Sequence, residues 1–311
     1  MSSRTIIDVG NAAALQRIAG TGLGFITDAA WSPDGAILAV AHGDQVSLWV
    51  DGFSDQPNHR LQHPAPVKAI AFTPDGSALA TASSDMLVRL WSTREDFILI
   101  TLRGHSDSVD AVALSRNGRL LASAGGDQTV RIVDMTDSIG STVLNGHAGA
   151  IAAVVFSGDS TRVASASWDK TVRLWDIAAR SEVAVIAFDD WLRGMTISPD
   201  GVTLAAACKS GEVRLLDGMT GAMRGSFHAH EGGADGIAFS PDGSLLATGG
   251  RDNLLRLWEA DTGRLLITLE LHRKPVLTVT FNPSGTLLLS GGGDNAVHLW
   301  SVGGEIGTVT A

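Results

Sequence analysis

The chain has 311 residues, 44% of them hydrophobic and 18% charged, with a formal net charge of −10. Such a composition supports a large buried core and excludes wholesale disorder, and the 23 basic residues are scattered, which argues against a surface built to neutralise phosphates. No stretch of eighteen apolar residues occurs, the opening Met1-Ser2-Ser3-Arg4-Thr5 lacks a signal peptide's apolar run, and Cys208 is the only cysteine. The expectations are a cytoplasmic location, no nucleic-acid or membrane partner, no intramolecular disulfide, no cysteine zinc cluster and a monomer when alone.

In chain order the first element is a short strand at Leu15 to Ala19, followed by Ile26 to Trp31 and the turn Ser32-Pro33-Asp34-Gly35. The same unit is clearest in its next copy. There the pattern predicts strands at Val67 to Phe72, Ala78 to Ala82 and Leu87 to Trp91, separated by turns at Thr73 to Gly76 and Ser84-Asp85, with a weaker strand at Phe97 to Leu102. Proline presets φ at the second turn position and glycine accepts a positive φ, so these tetrapeptides are turn chemistry rather than ligand sites.

The turn recurs at Ser115 to Gly118, Ser157 to Ser160, Ser198 to Gly201, Ser240 to Gly243 and Asn282 to Gly285, in steps of 41, 42, 42, 41, 42 and 42 residues counted from Ser32. Leu48-Trp49, Leu90-Trp91, Ile132-Val133, Leu174-Trp175, Leu215-Leu216, Leu257-Trp258 and Leu299-Trp300 keep the same register. A period near 42 residues marks a repeat architecture. A small twisted sheet of four short strands cannot cover both its faces, so the copies must stack around an axis. The fold expected is all-β, a single seven-bladed propeller of four-stranded antiparallel blades.

The blades divide at about 22–62, 63–104, 105–146, 147–187, 188–229, 230–271 and 272–311. Leu15 to Ala19 is the candidate for the strand that completes the seventh blade, and Ile306 to Thr310 is its rival.

The unit resembles the WD repeat, whose signature pairs Gly-His before the first strand with Trp-Asp at the end of the third. Trp175-Asp176 matches literally, Gly-His stands at 104–105 and 146–147, and His63, His230 and His272 hold the same register without the glycine. The resemblance covers nearly the whole chain. The Pro-Asp-Gly turns and the opening Asn11-Ala12-Ala13 before Leu15 are similar to those of bacterial members.

The resemblance implies that histidine, a second-strand serine or threonine, the turn aspartate and tryptophan form a structural hydrogen-bonded chain. Four blades carry the set: His63, Asp85 and Trp91; His147, Asp169 and Trp175; His230, Asp252 and Trp258; His272, Asp294 and Trp300. A catalytic constellation is needed once, whereas a stabilising motif is needed in every blade. Blade one has Gly22 for the histidine, blade three ends in Val133-Asp134, and blade five has Phe188, Ser210 and Leu216 in the three places. Blade five is therefore expected to be the least rigid, or else held by a partner.

In WD repeats the rim formed by first-strand entrances and second turns is the usual docking face, which places Phe25, Lys68, Trp168, Trp191, Arg193, Lys209, Asp235 and Arg251 there. Trp168 and Trp191 come from adjoining blades, and tryptophan and arginine are enriched at binding hot spots. The competing reading has Trp168 lidding its own blade and Trp191 plugging the space of the missing histidine. Phe53 and Pro57, in the long 50–59 connection, are candidates for a second contact. The chain has no Gly-x-Ser-x-Gly elbow, no phosphate loop ending in Lys-Ser or Lys-Thr, and no His-Glu-x-x-His. An adaptor for one or more proteins is expected, without catalytic residues, metal or cofactor; a reader of a peptide or modified side chain is the nearer alternative and an enzyme the more distant one.

Overall fold

The computed structural model describes residues 4–54, 56–95, 97–136 and 141–302. Seven four-stranded antiparallel sheets form a seven-bladed β-propeller. The first strands of the blades are Ile26–Trp31, Val67–Phe72, Val109–Leu114, Ile151–Phe156, Leu192–Ile197, Ala234–Phe239 and Val276–Phe281. All seven line the central channel. The only helical element among the described residues is a 3-10 turn at Ala12–Ala14.

The turns work as their chemistry demands. Gly35 takes φ +76°, while the Ser32 hydroxyl donates to Asp34 and accepts the Ile37 N–H, tying the turn to the strand it starts. Ser157 and Asp159 repeat this, although Ser160 replaces glycine and must itself adopt φ +61°.

Blade one holds Ile26–Trp31, Ile37–His42, Gln45–Val50 and His59–Gln62 in order. The last sheet is built differently: Leu15–Gly22 pairs antiparallel with Ala296–Val302, from Leu15 opposite Val302 to Gly22 opposite Ala296. The outer strand of blade seven thus comes from the start of the chain; Ile306 to Thr310 lies outside the described residues.

Seven apolar clusters stand one at each junction between blades. Trp49, Trp91, Trp175, Trp258 and Trp300 are all buried in them, each packed towards the preceding blade. At the junction of blades four and five, Leu216, Phe188, Met195 and Cys208 make the core. Small residues allow the close approach: a Cβ on Gly249 would sit 2.6 Å from the Val276 side chain of the next blade.

Phe53 does not offer a second contact. It is buried against Trp49, with ring centroids 5.1 Å apart, and the Trp49 indole donates to the Ser54 carbonyl. An aromatic ring gains more from covering the blade than from standing in water.

Candidate functional site

The recurring histidines lie inside the blades. In blade four the Trp175 indole N–H donates to Ser165 Oγ at 2.8 Å, Ser165 Oγ meets His147 Nε2 at 2.7 Å, and His147 Nδ1 meets Asp169 Oδ2 at 2.7 Å. Blade six repeats the chain with Trp258, Thr248, His230 and Asp252, and blade seven with Trp300, Ser290, His272 and Asp294. Burial lowers the pKa of His147 and of His230. At His147 a neutral ring fits one tautomer, with Nδ1–H donating to the carboxylate and Nε2 accepting from the hydroxyl. Burial pulls the Asp169 carboxyl up, but hydrogen bonds from Thr171, the Ala148 N–H and His147 outweigh it and hold the group below the usual carboxylate range. Such a carboxylate is satisfied rather than reactive.

Blade two departs from the expected pattern. His63 Nε2 meets Thr81 Oγ1 at 2.8 Å and Trp91 reaches the same hydroxyl at 3.1 Å, but His63 Nδ1 turns to the Leu61 carbonyl at 3.3 Å. Asp85 instead receives a bidentate pair from Arg89 at 3.1 and 2.7 Å. The expected His63–Asp85 link is therefore corrected: a guanidinium fork four residues away outcompetes a single imidazole N–H. Burial, reinforced by Arg89, lowers the His63 pKa to about 4.

His272, Asp294 and His298 bring possible ligand atoms within 4.8 Å of one another. Both ring nitrogens of His272 are engaged by Asp294 and Ser290, and Arg17 Nε donates to His298 Nδ1 at 3.0 Å. A guanidinium at that distance opposes a metal cation, so the cluster is a hydrogen-bonded one.

Each blade lines the channel with two or three residues, among them Thr27, Lys68, Asp110, Ala152, Arg193, Asp235 and Leu277 at equivalent positions. Beside it lies a cleft of about 380 Å³ lined by Lys68, Trp168, Trp191, Arg193, Asp235 and Arg251, among others. Six of the eight rim residues named from the sequence thus meet in one place. Trp168 and Trp191 stack with ring centroids 6.0 Å apart and planes 15° from parallel, and they are 52% and 41% exposed. Arg193 and Arg251 each approach Asp235 at 2.9 Å, so one carboxylate presents two guanidinium groups.

Lys209 backs this group, its Nζ 4.1 Å from the centroid of Trp191. Phe25 stands apart: it is 54% exposed and lies against Gly293 on the side of blades seven and one. Trp191 does not plug the histidine's space, because buried Phe188 fills it with Arg214 over its ring.

Asp28, on the channel wall, was not among the residues expected from the sequence. Its carboxylate accepts from the Ile70 and Ala29 N–H groups at 2.9 and 2.8 Å and from the Thr278 hydroxyl at 3.3 Å. Burial nevertheless raises its pKa to about 6. The signal was available in the register, since Ala69, Ala111, Ala153, Gly194, Gly236 and Thr278 are the equivalents of this one carboxylate.

The family model described as "WD domain, G-beta repeat" matches residues 55–92, 97–134, 140–176, 221–259 and 263–301. The chain is similar to WD repeat-containing protein 1-B of Xenopus laevis, 38% identical over 72 residues, 22% of this chain and 12% of that protein. It is similar to the COMPASS component SWD3 of Saccharomyces cerevisiae, 34% identical over 80 residues, 25% of each chain. Protein HIR1 of Cryptococcus neoformans is 35% identical over 91 residues, 29% of this chain and 10% of that protein. The matches thus span a quarter or less of these relatives. The family model leaves unmatched the first three strands of blade one and of blade five, the blades that lack the histidine. With five matched repeats on seven sheets of one pattern, the chain belongs to the WD-repeat family of β-propellers.

Proposed function

We propose that this propeller is an interaction scaffold that docks a partner protein on its channel rim, centred on blades four to six. The observation that carries the reading is the stacked, half-exposed pair Trp168 and Trp191 beside a cleft into which Arg193 and Arg251 project. Exposed tryptophan has a large apolar area to lose from water, and arginine binds carboxylates and backbone carbonyls in a fixed geometry, so both types dominate interface energetics. One of the similar proteins is named as a COMPASS component, which fits a role in binding other proteins. A catalytic role finds no support in the site, because the histidines and aspartates of blades four, six and seven are committed to one another inside the blades.

A reader of a peptide side chain is the second reading, favoured by the cleft. Caging a cation on Trp191 is disfavoured, since Trp168 and Lys209 already compete for its ring. Among the described residues no helix is long and apolar enough to cross a membrane, and the location proposed is the cytoplasm.

The test is affinity capture from a lysate of the producing organism, comparing the wild type with a Trp168→Ala, Trp191→Ala double variant shown by calorimetry to be folded. A protein retained by the wild type and lost by the variant is the expected result. Capture of the same set by both chains would place the docking site elsewhere.

A further inference from the structure

The cleft at the proposed docking centre carries a charge imbalance of its own. Lys68, Arg193 and Arg251 line it against two carboxylates, Asp110 and Asp235, so that positive charge is in excess by one. The chain as a whole is the reverse, with 33 acidic and 23 basic residues. The acids just before Trp191 leave the imbalance in place, because neither lines the cleft: Asp189 pairs with Arg214, and Asp190 accepts the Trp191 N–H. A positive spot on a negative molecule favours a single anionic group, whereas a polyacidic partner is repelled by the rest of the surface.

The excess sits around one carboxylate. Arg193 donates Nη1 to Asp235 Oδ1 at 2.9 Å, and Arg251 donates Nε to Oδ2 at 2.9 Å and Nη2 to Oδ1 at 3.4 Å. Two guanidinium groups are thus held together by one negative charge. Nε and Nη2 of Arg193 and Nη1 of Arg251 have no hydrogen-bond partner among the described residues. Arginine does not shed its proton, so the mutual repulsion of the two cations is relieved by an anion from outside the chain. A carboxylate matches both the guanidinium fork and the single excess charge, whereas a phosphate carries about −1.5 to −2 at neutral pH and overfills it. Half-exposed Trp168 and Trp191 line the same cleft and offer apolar area to a side chain next to that anion.

We infer that the part of the partner entering this cleft is a peptide segment with one aspartate or glutamate beside an apolar side chain, the carboxylate bridging Arg193 and Arg251 and the apolar group covering the tryptophan pair. The inference rests on the docking reading above and adds to it the chemistry of the segment that is recognised.

The full-length chain, immobilised, is offered four pools of synthetic peptides randomised on both sides of a fixed central aspartate, asparagine, lysine or phosphoserine, and the retained peptides are sequenced by mass spectrometry. The aspartate pool is expected to be retained best, with leucine, isoleucine, phenylalanine or tryptophan enriched beside the fixed residue. For the best aspartate peptide, fluorescence polarisation should show binding weakened by about tenfold or more in Arg251→Gln and in Arg193→Gln, each shown to be folded by its melting curve. The asparagine counterpart of that peptide should bind the wild type about tenfold or more weakly, a comparison that needs no variant. Equal retention of the aspartate and asparagine pools, best retention of the lysine or phosphoserine pool, or retention of none overturns the inference. Lysate capture separates it from the docking reading. A protein lost by the Trp168→Ala, Trp191→Ala variant but kept by an Arg193→Gln, Arg251→Gln variant sinks the acidic segment alone, whereas a protein kept by both variants sinks the docking site itself.

Discussion

The guanidinium of Arg214 lies over the ring of Phe188, 5.2 Å from its centroid, in the blade where histidine, aspartate and tryptophan have all been replaced. The same arginine reaches Glu212 and Asp189. Blade five therefore exchanges a buried polar chain for an aromatic core residue with a cation on its face, and its four strands remain intact. Phe188→Ala should cost roughly 3 to 5 kcal/mol, the usual range for a buried phenylalanine. Urea unfolding measures it. A loss no larger than that of an exposed residue would show that the ring carries no packing.

His147 and His63 occupy equivalent positions but should behave differently in double-mutant cycles. His147 and Asp169 are bonded at 2.7 Å, and their coupling is expected to be roughly 1.5 to 3 kcal/mol. His63 and Asp85 should couple by less than about 0.5 kcal/mol, because Arg89 takes the carboxylate. Equal couplings in the two blades would contradict the geometry.

Trp168→Ala and Trp191→Ala should each change stability by less than about 1 kcal/mol, since both rings are half exposed, yet each should weaken capture of the partner by about 2 kcal/mol or more. The stacking makes the pair non-additive, so the double variant should lose less than the sum. A large drop in melting temperature for either single variant would reassign it to packing.

Acid should weaken the fold before the carboxylates titrate. Burial lowers His63 and His298 to about 4 from an ordinary value of 6.5, so an unfolded chain binds these protons first. The associated stability is complete above pH 6.5 and is lost as the pH falls towards 4, by up to roughly 3 kcal/mol for each group. Asp28 works the other way, because its raised value of about 6 adds stability as the pH falls through 6 towards 3.8. Unfolding at pH 7 and pH 4.5 should show a net loss that is smaller in His63→Gln. A flat profile would mean that the rings are not held neutral.

The fold was legible because Pro-Asp-Gly turns and terminal tryptophans are local signals repeated in register, and each fixes where a strand starts and ends. The rim residues were legible for the same reason, as equivalent positions of a ring lie on one face. Competition between neighbours was not. Arg89 taking Asp85 from His63, and Phe53 folding back on Trp49, depend on side-chain reach across a turn rather than on periodicity. A cleft of about 340 Å³ at the junction of blades two and three, lined by Ile100, Leu102, Val133 and Met135 among others, was not legible either, since only packing against the neighbouring blade turns a smaller side chain such as Val133, in the tryptophan position, into a space.

The pairing of Leu15 with Val302 has a consequence for timing. Residues 15–22 are made first, yet their partners at 296–302 are made nearly 280 residues later. At synthesis rates of about 5 to 20 residues per second the early strand waits roughly 15 to 60 s with nothing to pair with. Six blades can assemble during that interval, and the last can close only when the far end of the chain arrives. Between those two points the newborn chain is an open arc with two unmatched ends, which is when a chaperone would have most to do.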